Sequence, residues 1–445
     1  MKTKKYFVCN ECGFESDKWF AKCPSCNSIS SAVEFTADID FKKNKKTSKT
    51  TSEITYLDEE VSIPVRIKTS IKEFNDSING GFVKGGIYLI SGEPGIGKST
   101  LISQISKDID GFVLYATGEE SKTQVIQRYK RLNIENKNIG LIFENDIDSI
   151  INTISKSTKK PSVVFIDSIQ TMKSDEFDSI AGSILQVREC SKKITNFAKN
   201  NDITIVLIGH VNKEGAVAGP KILEHIVDCV IQFDLEKTSG LRMVRITKNR
   251  YGPTDEIILL EMTSKGLIPI ENMNEFFLND YSNESGNTLT IIKEGNKLIP
   301  IEIQALVSKP VYGTPRRITS GVPLDRVLMI SAVLSKKLKM PIESKDIFVS
   351  TSGGFKINDS AIDLAIANSL VSSLLEMPPL GPTIAIGEIG LDGKIRSVSS
   401  IEKRIEISKR LGMENILIPE KNSKKVKSCT PIKNINELVK LFKGV

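Results

Sequence analysis

The sequence predicts an α/β chain in three parts: a cysteine-rich module, a central domain with a mostly parallel sheet, and a smaller α+β domain. Three observations lead to this prediction. Two Cys-x2-Cys pairs lie within the first 26 positions. Short apolar runs alternate with longer amphipathic stretches over residues 63–275. A polar stretch within 276–290 then separates this region from a different pattern of strands and helices.

Length and composition set the outer limits. A chain of 445 residues exceeds the size at which a single hydrophobic core stops growing, so two or three domains are expected. The formal charge of +7 is only mildly basic, which permits an acidic partner without requiring one. No secretory signal and no run of about 18 apolar residues is present. We therefore expect a cytoplasmic protein without a membrane partner.

The central domain, residues 63–275, is predicted from continuous apolar runs separated by helix-length stretches. Such runs are typical of a parallel sheet that is covered by helices on both faces. Apolar positions at helical spacing make the segment 179–200 one of the covering helices. The predicted strands are 87–91, 111–117, 139–144, 161–167 and 203–209.

The cysteine-rich module, residues 6–35, is predicted to hold a structural zinc ion. Cys9, Cys12, Cys23 and Cys26 form two knuckles whose thiolates close a tetrahedral site. Four protein ligands leave no open coordination position, and metal binding supplies the folding free energy that so short a segment lacks. Residues 36–62, rich in Lys, Thr, Ser and Asp, are predicted to be a flexible linker.

A phosphate-binding loop follows the first strand of the central domain. Residues 92–99 match G-x4-G-K-[ST] between a strand and a helix that begins near Thr100. Lys98 is expected to reach the β- and γ-phosphates, and Ser99 to ligate Mg²⁺. The predicted residues that bind ATP and Mg²⁺ in this loop are Gly92, Glu93, Pro94, Gly95, Ile96, Gly97, Lys98, Ser99 and Thr100.

Acidic residues follow two other predicted strands. Asp167 ends an apolar strand and is expected to support Mg²⁺ at the carboxyl edge of the sheet. Glu119 and Glu120 follow another strand, immediately before a capping-box pattern formed by Ser121 and Gln124. Glu119, with Glu120 as the alternative, is predicted to polarise the attacking water. Two solvated acids favoured by the helix dipole are the other interpretation.

Further segments resemble a known family. They are the ATGEES turn at 116–121, the segment 209–225 and the pentapeptide KNRYG at 248–252. With the cysteine module and the phosphate loop, they make the chain similar to the bacterial RadA (Sms) DNA repair family over nearly its whole length. The resemblance implies a RecA-like ATPase in the response to DNA damage. It also implies a homo-oligomeric ring, expected to be a hexamer, that binds single-stranded and branched DNA and drives branch migration with the RecA recombinase.

The KNRYG pentapeptide differs mildly from the family's KNRFG and keeps both cations, Lys248 and Arg250. Because these residues end an alternating strand, they are predicted to act on the γ-phosphate of a neighbouring subunit. A surface basic pair is the alternative.

The glycine-rich segment 213–220 is interpreted as a loop that contacts DNA or, alternatively, as a simple connection. His210 before it suits either a γ-phosphate sensor or a core histidine.

Residues 286–445 resemble the proteolytic domain of Lon, which in active members uses a Ser–Lys dyad. Ala361 stands at the position of the nucleophile and Glu402 at that of the base. Neither side chain can perform that chemistry, so this domain is predicted to be a catalytically inactive scaffold. Arg316 and Arg317 are its possible DNA contacts. The predicted helices are 321–338 and 360–375, and the predicted strands are 347–351 and 383–391.

Two other functions compete with a DNA-dependent ATPase. An ATP-dependent protease would need the intact dyad, which the sequence lacks. A regulatory RecA-like ATPase of the KaiC type, acting on proteins, also has doubled glutamates after a strand. The zinc module and the KNRYG pentapeptide favour the DNA-dependent function.

Overall fold

The computed structural model describes most of the chain, and it forms two compact units. One unit comprises residues 1–234 with 242–269, and the other comprises 235–241 with 270–445. The described residues are 3–9, 15–24, 27–29, 32–38, 65–177, 179–210, 220–236, 239–271, 278, 281–310, 313–379, 381–423 and 428–442.

The N-terminal module is a three-stranded antiparallel sheet with the order β2-β1-β3. Its strands are β1 (Thr3–Cys9), β2 (Glu15–Ser16) and β3 (Ala32–Asp38). The last three residues of β3 fall within the segment 36–62 that was predicted to be a linker, so the strand extends past the expected module boundary at residue 35. The remainder of that linker lies outside the described residues.

A nine-stranded sheet forms the centre of the ATPase domain, with the order β14-β13-β12-β11-β6-β10-β9-β7-β8. Its strands are β6 (Ile87–Gly92), β7 (Val113–Thr117), β8 (Ile139–Phe143), β9 (Val163–Asp167), β10 (Thr204–His210), β11 (Cys229–Leu235), β12 (Arg242–Asn249), β13 (Ile257–Thr263) and β14 (Gly266–Pro269). The short strands β4 (Arg66–Ile67) and β5 (Phe82–Val83) pair separately.

Six strands run parallel to one another, in the spatial order β11, β6, β10, β9, β7 and β8. Beyond β11, the strands β12, β13 and β14 extend the sheet and pair with one another in antiparallel fashion. All five predicted strands are present in the parallel part. Parallel strands direct all their carboxyl ends to the same edge, which is where ligands bind in open α/β folds. The sheet therefore creates one edge that gathers the phosphate loop, the Glu119 turn and Asp167.

Helices cover both faces of this sheet and bury two apolar clusters. Ile90, Val206 and Phe165 are buried on one face, whereas Leu89 and Leu207, from the same strands, are buried on the other. Strands buried on both faces explain the continuous apolar runs in the sequence. The helices are α1 (Lys72–Ser77), α2 (Lys98–Ile105), α3 (Lys122–Arg131), α4 (Ile147–Lys156), α5 (Ile184–Asn201) and α6 (Pro220–Ile226). The helix predicted over 179–200 is present as α5, which begins five residues later than predicted.

The second unit contains a mixed seven-stranded sheet with the order β17-β18-β16-β15-β19-β22-β23 and a separate β20-β21 pair. The strands are β15 (Asn287–Glu294), β16 (Lys297–Ser308), β17 (Arg317–Ser320), β18 (Asp346–Thr351), β19 (Thr383–Ala385), β20 (Glu388–Ile389), β21 (Ile395–Arg396), β22 (Asn415–Pro419) and β23 (Thr430–Ile432). The helices are α7 (Leu324–Leu338), α8 (Asp363–Leu375), α9 (Ile401–Arg410), α10 (Glu420–Ser423) and α11 (Ile435–Phe442).

Its core lies between the sheet and the helices. Leu289, Ile384 and Ile416 belong to three neighbouring strands and pack with Ile401 and Ile405 of α9. The predicted helix over 360–375 begins as a 3₁₀ turn at Ser360–Ile362 before α8. The predicted strand over 383–391 is divided into β19 and β20. The α+β prediction for this unit is confirmed.

Candidate active site

The phosphate loop lies between the last residue of β6 and the first residue of α2, beneath a cavity of about 620 Å³. Gly97 caps the helix with a φ of 110°, a conformation that favours glycine. A Cβ at this position would lie 2.7 Å from the Cε of Met262, a contact that the flexible end of that side chain can relieve, so the backbone conformation is what requires glycine. The phosphate-loop motif and the left-handed backbone at the start of α2 thus require the same residue.

Lys98 is buried inside the loop. Its Nζ donates hydrogen bonds of 2.8 Å to the carbonyl oxygens of Gly92 and Glu93. Burial lowers the pKa of Lys98 to about 8, although the nearby carboxylates of Asp167 and Glu119 oppose the shift. A cation in this position is poised to exchange loop carbonyls for phosphate oxygens.

Asp167 ends β9 and is 2% exposed. Burial raises its pKa, while hydrogen bonds from Tyr115 and Ser99 act in the opposite direction. The Tyr115 hydroxyl donates to Oδ2 of Asp167, and burial raises the pKa of this tyrosine so that it remains a donor. A hydroxyl at Ser99 and a buried carboxylate at Asp167 are oxygen donors of the kind that Mg²⁺ prefers.

The two glutamates of the 116–121 turn have different partners. Oε1 of Glu119 accepts a hydrogen bond from Ser168 and lies 3.3 Å from Nε2 of His210. These contacts, led by the one to His210, lower the pKa of Glu119. Glu120 instead forms an ion pair with Arg128. Glu119 is therefore kept ionised in the cavity, while Glu120 holds a neighbouring helix.

Tyr115, Arg128 and Ser168 are site residues that the sequence analysis missed. Arg128 lies in α3, donates to the Tyr115 hydroxyl over 2.9 Å and to Ser103 over 3.0 Å, and so connects α3 to β7 and α2. Its basic neighbours in α3 make it look like one more solvated cation in the sequence. The capping box at the start of α3, with Ser121 and Gln124, is confirmed.

The structure brings most predicted nucleotide residues together. The cavity is lined by Pro94, Gly95, Gly97, Lys98, Ser99, Thr100, Glu119, Glu120, Gln124, Gln127, Arg128, Arg131 and His210. Gly92, Glu93 and Ile96 complete the loop, and Asp167 lies at the carboxyl end of β9, which is separated from β6 by β10.

The structure does not bring Lys248 and Arg250 to this cavity. They lie at the opposite edge of the sheet, where Lys248 donates to the carbonyl of Val227 over 2.8 Å. Arg250 contacts Asp228, whose carboxylate also accepts from the backbone N–H of Ile87 at the start of β6. The phosphate loop begins at the other end of that strand, about 17 Å away at about 3.3 Å per residue.

Two of the four predicted zinc ligands can be placed. Cys9 ends β1 and Cys23 lies in a turn in which its N–H donates to the carbonyl of Ser28 over 2.8 Å. Both are buried in one cluster with Phe20. Soft, buried thiols that lie together suit zinc. Cys12 and Cys26, like residues 213–219 of the predicted DNA loop, lie outside the described residues.

The C-terminal unit places Ala361 in the 3₁₀ turn before α8, fully buried, and Glu402 in α9, exposed. Asp359 beside the turn pairs over 2.7 Å with Arg404, which is itself fully buried. Arg316 is held by Asp346 over 2.9 Å, and Arg317 donates to the carbonyl oxygens of Glu343 and Lys345. Both arginines proposed as DNA contacts thus have structural partners.

Models of protein families match three parts of the chain. Residues 67–141 and 142–273 match the KaiC ATPase domain, residues 7–34 match a rubredoxin metal-binding domain, and residues 324–422 match subunit ChlI of Mg-chelatase. These matches agree with the RecA-like ATPase fold and the α+β domain predicted from the sequence, and with a metal-binding role for the cysteine-rich module.

Whole-chain relatives decide the family. The DNA repair protein RadA of Bacillus subtilis (strain 168) is 40% identical over 432 residues, covering 95% of this chain and 93% of the relative. The chain belongs to the RadA family of DNA repair proteins. RadA of Aquifex aeolicus (strain VF5) is 39% identical and covers 99% of both chains. A KaiC-like protein of Pyrococcus horikoshii OT3 matches 46% of this chain and 99% of its own, at 21% identity and a TM-score of 0.40.

Membership of the RadA family and the ATPase domain make the chain an ATP-hydrolysing DNA repair protein, with a metal-binding module at its N-terminus. Interaction with DNA follows from the repair function. Within the described part of the chain, no helix combines the length and apolarity needed to cross a bilayer.

Proposed function

We propose that this RadA-family chain is a DNA-dependent ATPase of recombinational repair. It binds single-stranded and branched DNA and drives branch migration together with the RecA recombinase, working as a homo-oligomeric ring that we infer to be a hexamer. The observation that carries the ring is the separation of Arg250 from the phosphate loop of its own subunit, and the action on DNA rests on membership of the RadA family.

This separation favours an active site shared between subunits. Arg250 is fixed at the N-terminal end of β6, whereas Lys98 binds carbonyl groups at the C-terminal end. A side chain of about 7 Å cannot cross a strand of six residues, which spans about 17 Å. If Arg250 acts on ATP, it acts on the ATP of a neighbour, and a closed ring supplies every subunit with such a neighbour.

Within one subunit, we assign Gly92 to Thr100 to the binding of the triphosphate. The backbone N–H groups of the loop and the start of α2 favour phosphate, and Lys98 adds a positive charge at the β- and γ-phosphates. Ser99 would ligate Mg²⁺ and Asp167 would support the ion without ligating it directly; when bound, the ion neutralises charge on the phosphate oxygens. Tyr115 keeps the carboxylate of Asp167 in place through its hydrogen bond.

We assign Glu119 as the general base of ATP hydrolysis. It accepts a proton from the water molecule that attacks the γ-phosphorus, and the bond from phosphorus to the β,γ-bridging oxygen breaks as ADP leaves. The hydrogen bonds from His210 and Ser168 keep the carboxylate ionised and oriented for this step. Arg250 and Lys248 of the adjacent subunit then stabilise the charge that develops on the phosphoryl oxygens.

We assign zinc to Cys9, Cys12, Cys23 and Cys26. Burial of Cys9 and Cys23 in one cluster supports a structural site, because a sheet this small has little apolar surface of its own. We also propose the chain divisions made from the sequence, with the module at 6–35, the linker at 36–62, the ATPase domain at 63–275 and the inactive C-terminal domain at 286–445, except that β3 extends the module to residue 38 and shortens the linker accordingly.

The alternative function is that of a regulatory ATPase acting on protein partners. The match to the KaiC ATPase domain is the observation that favours it. Stimulation by DNA separates the two functions. ATP turnover is measured alone, with single-stranded DNA, and with heparin as a polyanion control, and Lys98→Ala provides the background. We expect stimulation by DNA but not by heparin, and branch migration on a three-strand intermediate that is faster with RecA. Turnover indifferent to DNA would favour the regulatory function.

A further inference from the structure

Asp228 is a nearly buried carboxylate, 5% exposed, that lies at the N-terminal edge of the central sheet. It immediately precedes β11, which pairs with β6. No step of the ATP chemistry assigned above uses it. A buried acid of this kind is costly unless it is paired and hydrogen-bonded, so its partners indicate what it does.

The partners of Asp228 come from two separate parts of the chain. Its Oδ1 accepts from Nη1 of Arg250 over 3.2 Å, and its Oδ2 accepts from the Tyr251 hydroxyl over 2.9 Å. The same Oδ2 accepts from the N–H of Ile87 over 3.1 Å. In addition, the carbonyl oxygen of Asp228 accepts from the backbone N–H of Arg250 over 3.0 Å. One residue thus fixes both the backbone and the guanidinium of Arg250.

We propose that Asp228 is the positioning residue for Arg250, and that it couples this arginine to the strand that ends in the subunit's own phosphate loop. The proposal rests on the trans role of Arg250 proposed above. Asp228 does not touch the nucleotide in this role. It binds Nη1 of the guanidinium and thereby restricts the directions in which the other N–H groups of Arg250 can point.

The exposed fractions of the two side chains agree with a positioning role of Asp228 and a functional role of Arg250. The Asp228 side chain is 7% exposed, whereas that of Arg250 is 56% exposed. A guanidinium has five N–H donors in a fixed fork, so a contact through Nη1 leaves other donors for a second acceptor. A finger that is already oriented loses less freedom when it meets a γ-phosphate than one that moves freely.

Lys248 is anchored independently. Its Nζ donates to the carbonyl of Val227, the residue before Asp228, and to that of Glu224. Both cations of the KNRYG pentapeptide are therefore attached to Val227 and Asp228, the short segment between α6 and β11, and Lys248 is attached to the last turn of α6 as well. A shift of that segment would move both cations and the start of β6 together.

The competing possibility is a structural role, in which Asp228 only satisfies the N–H of Ile87. Asp228→Asn tests the difference, because the amide oxygen still accepts a hydrogen bond but the negative charge that orients Arg250 is lost. Asp202→Asn is the control, since it removes an exposed charge close to the same edge. Thermal unfolding of both variants reports folding, and ATP turnover and nucleotide affinity are measured on the full-length chain in its assembled form.

We expect Asp228→Asn to fold, to bind nucleotide with unchanged affinity and to lose about 10²-fold in kcat, the scale expected for a misplacement of about 1 Å. The double variant Asp228→Asn/Arg250→Ala is expected to be no slower than Arg250→Ala. Asp202→Asn is expected to match the unsubstituted chain. If Asp228→Asn does not fold, Asp228→Glu serves instead, because it keeps the charge but displaces it by one methylene and is expected to lower kcat alone.

Normal turnover by a folded Asp228 variant, together with an inactive Arg250→Ala, would overturn the positioning role while leaving the trans finger intact. Additive losses in the double variant would also overturn it. Full turnover by Arg250→Ala would instead remove the proposed finger itself, and the role of Asp228 with it. The two failures therefore give different results.

Discussion

Arg250 and Lys98, which belong to other elements, lie beside opposite ends of strand β6. Asp228 holds Arg250 where β6 begins, and Lys98 binds the carbonyl of Gly92 where β6 ends. Both residues are expected to act on the phosphates of ATP, and a single subunit cannot bring them to the same molecule. This arrangement gives a way to tell their roles apart.

Lys98→Ala and Arg250→Ala should both reduce hydrolysis by orders of magnitude, with different effects on nucleotide binding. Loss of Lys98 removes a direct partner of the β- and γ-phosphates, so nucleotide affinity should fall. Loss of Arg250 removes charge needed mainly in the transition state, worth about 10³–10⁵ in rate, so affinity should remain. Equilibrium titration with a fluorescent nucleotide and steady-state turnover measure the two effects.

Rings that contain both variants should regain partial activity, because some interfaces then pair an intact phosphate loop with an intact arginine. Subunit exchange is verified by differential labelling before turnover is measured. Absence of recovery in rings shown to be mixed would place the action of Arg250 within its own subunit or on DNA.

Glu119→Gln should lower kcat by about 10²–10⁴ and leave nucleotide binding intact, as expected on loss of a general base. Glu120→Gln is the matched control, because Glu120 is occupied by Arg128. It should reduce the free energy of unfolding by about 1.5–3 kcal/mol, the range for a hydrogen bond to a charged group, and affect turnover less. Turnover lost in Glu120→Gln and kept in Glu119→Gln would reverse the assignment.

Cys9→Ser should release one zinc ion per chain and leave the ATPase domain folded, because that domain has its own apolar clusters on both faces of its sheet. Metal analysis and the nucleotide affinity of the variant test this. Cys429→Ser, which removes a partly exposed thiol of the C-terminal unit, should keep the metal. The prediction fails if the unsubstituted protein contains no zinc.

Purified protein should show no peptidase activity. The nucleophile position is a buried alanine, Ala361, and Glu402 in α9 cannot replace a lysine base. Ser360→Ala should therefore change neither ATP hydrolysis nor DNA binding. Cleavage of an unfolded substrate that disappears in this variant would contradict the assignment.

Two buried aspartates of the C-terminal unit should give opposite dependences of stability on pH. Burial raises the pKa of Asp363 to about 6, above the value of about 3.9 in an unfolded chain. Between these values the folded form binds more protons, so the contribution of Asp363 to stability falls as the pH rises. Relative to the unsubstituted chain, Asp363→Asn should gain up to about 3 kcal/mol between pH 4 and pH 7.

Asp346 provides the contrast, because hydrogen bonds from Arg316 lower its pKa. Its contribution is present above the unfolded pKa and is lost as the pH falls through the folded value. Asp346→Asn should therefore destabilise the unit more at pH 7 than at pH 3. Calorimetric unfolding of the full chain across this range measures both variants, and parallel curves for the two would contradict the assigned shifts.

Much of the site could be predicted from the sequence because its parts are local. The phosphate loop is contiguous, and its glycines, Lys98 and Ser99 need only the strand and helix on either side to take up their positions. Asp167 and the Glu119 turn follow strands that are apolar throughout, which indicates a parallel sheet and so a shared carboxyl edge. The expectations of a ring assembly, of DNA binding and of RecA as a partner came from the family resemblance, because the residues alone do not specify them.

The tertiary structure decided what depends on contacts between distant segments. Glu119 is distinguished from Glu120 by Ser168, His210 and Arg128, which come from three different elements. Arg250 lies at the N-terminal end of β6 because β11 pairs with β6 and β12 lies on the other side of β11. Hydrophobic periodicity does not encode this strand order. Apolar patterning determines which residues are buried in a strand, whereas strand neighbours are chosen by packing across the whole domain. For that reason the sequence alone determined the chemistry of the phosphate loop, and only the folded sheet placed Asp228 and Arg250 at its opposite end.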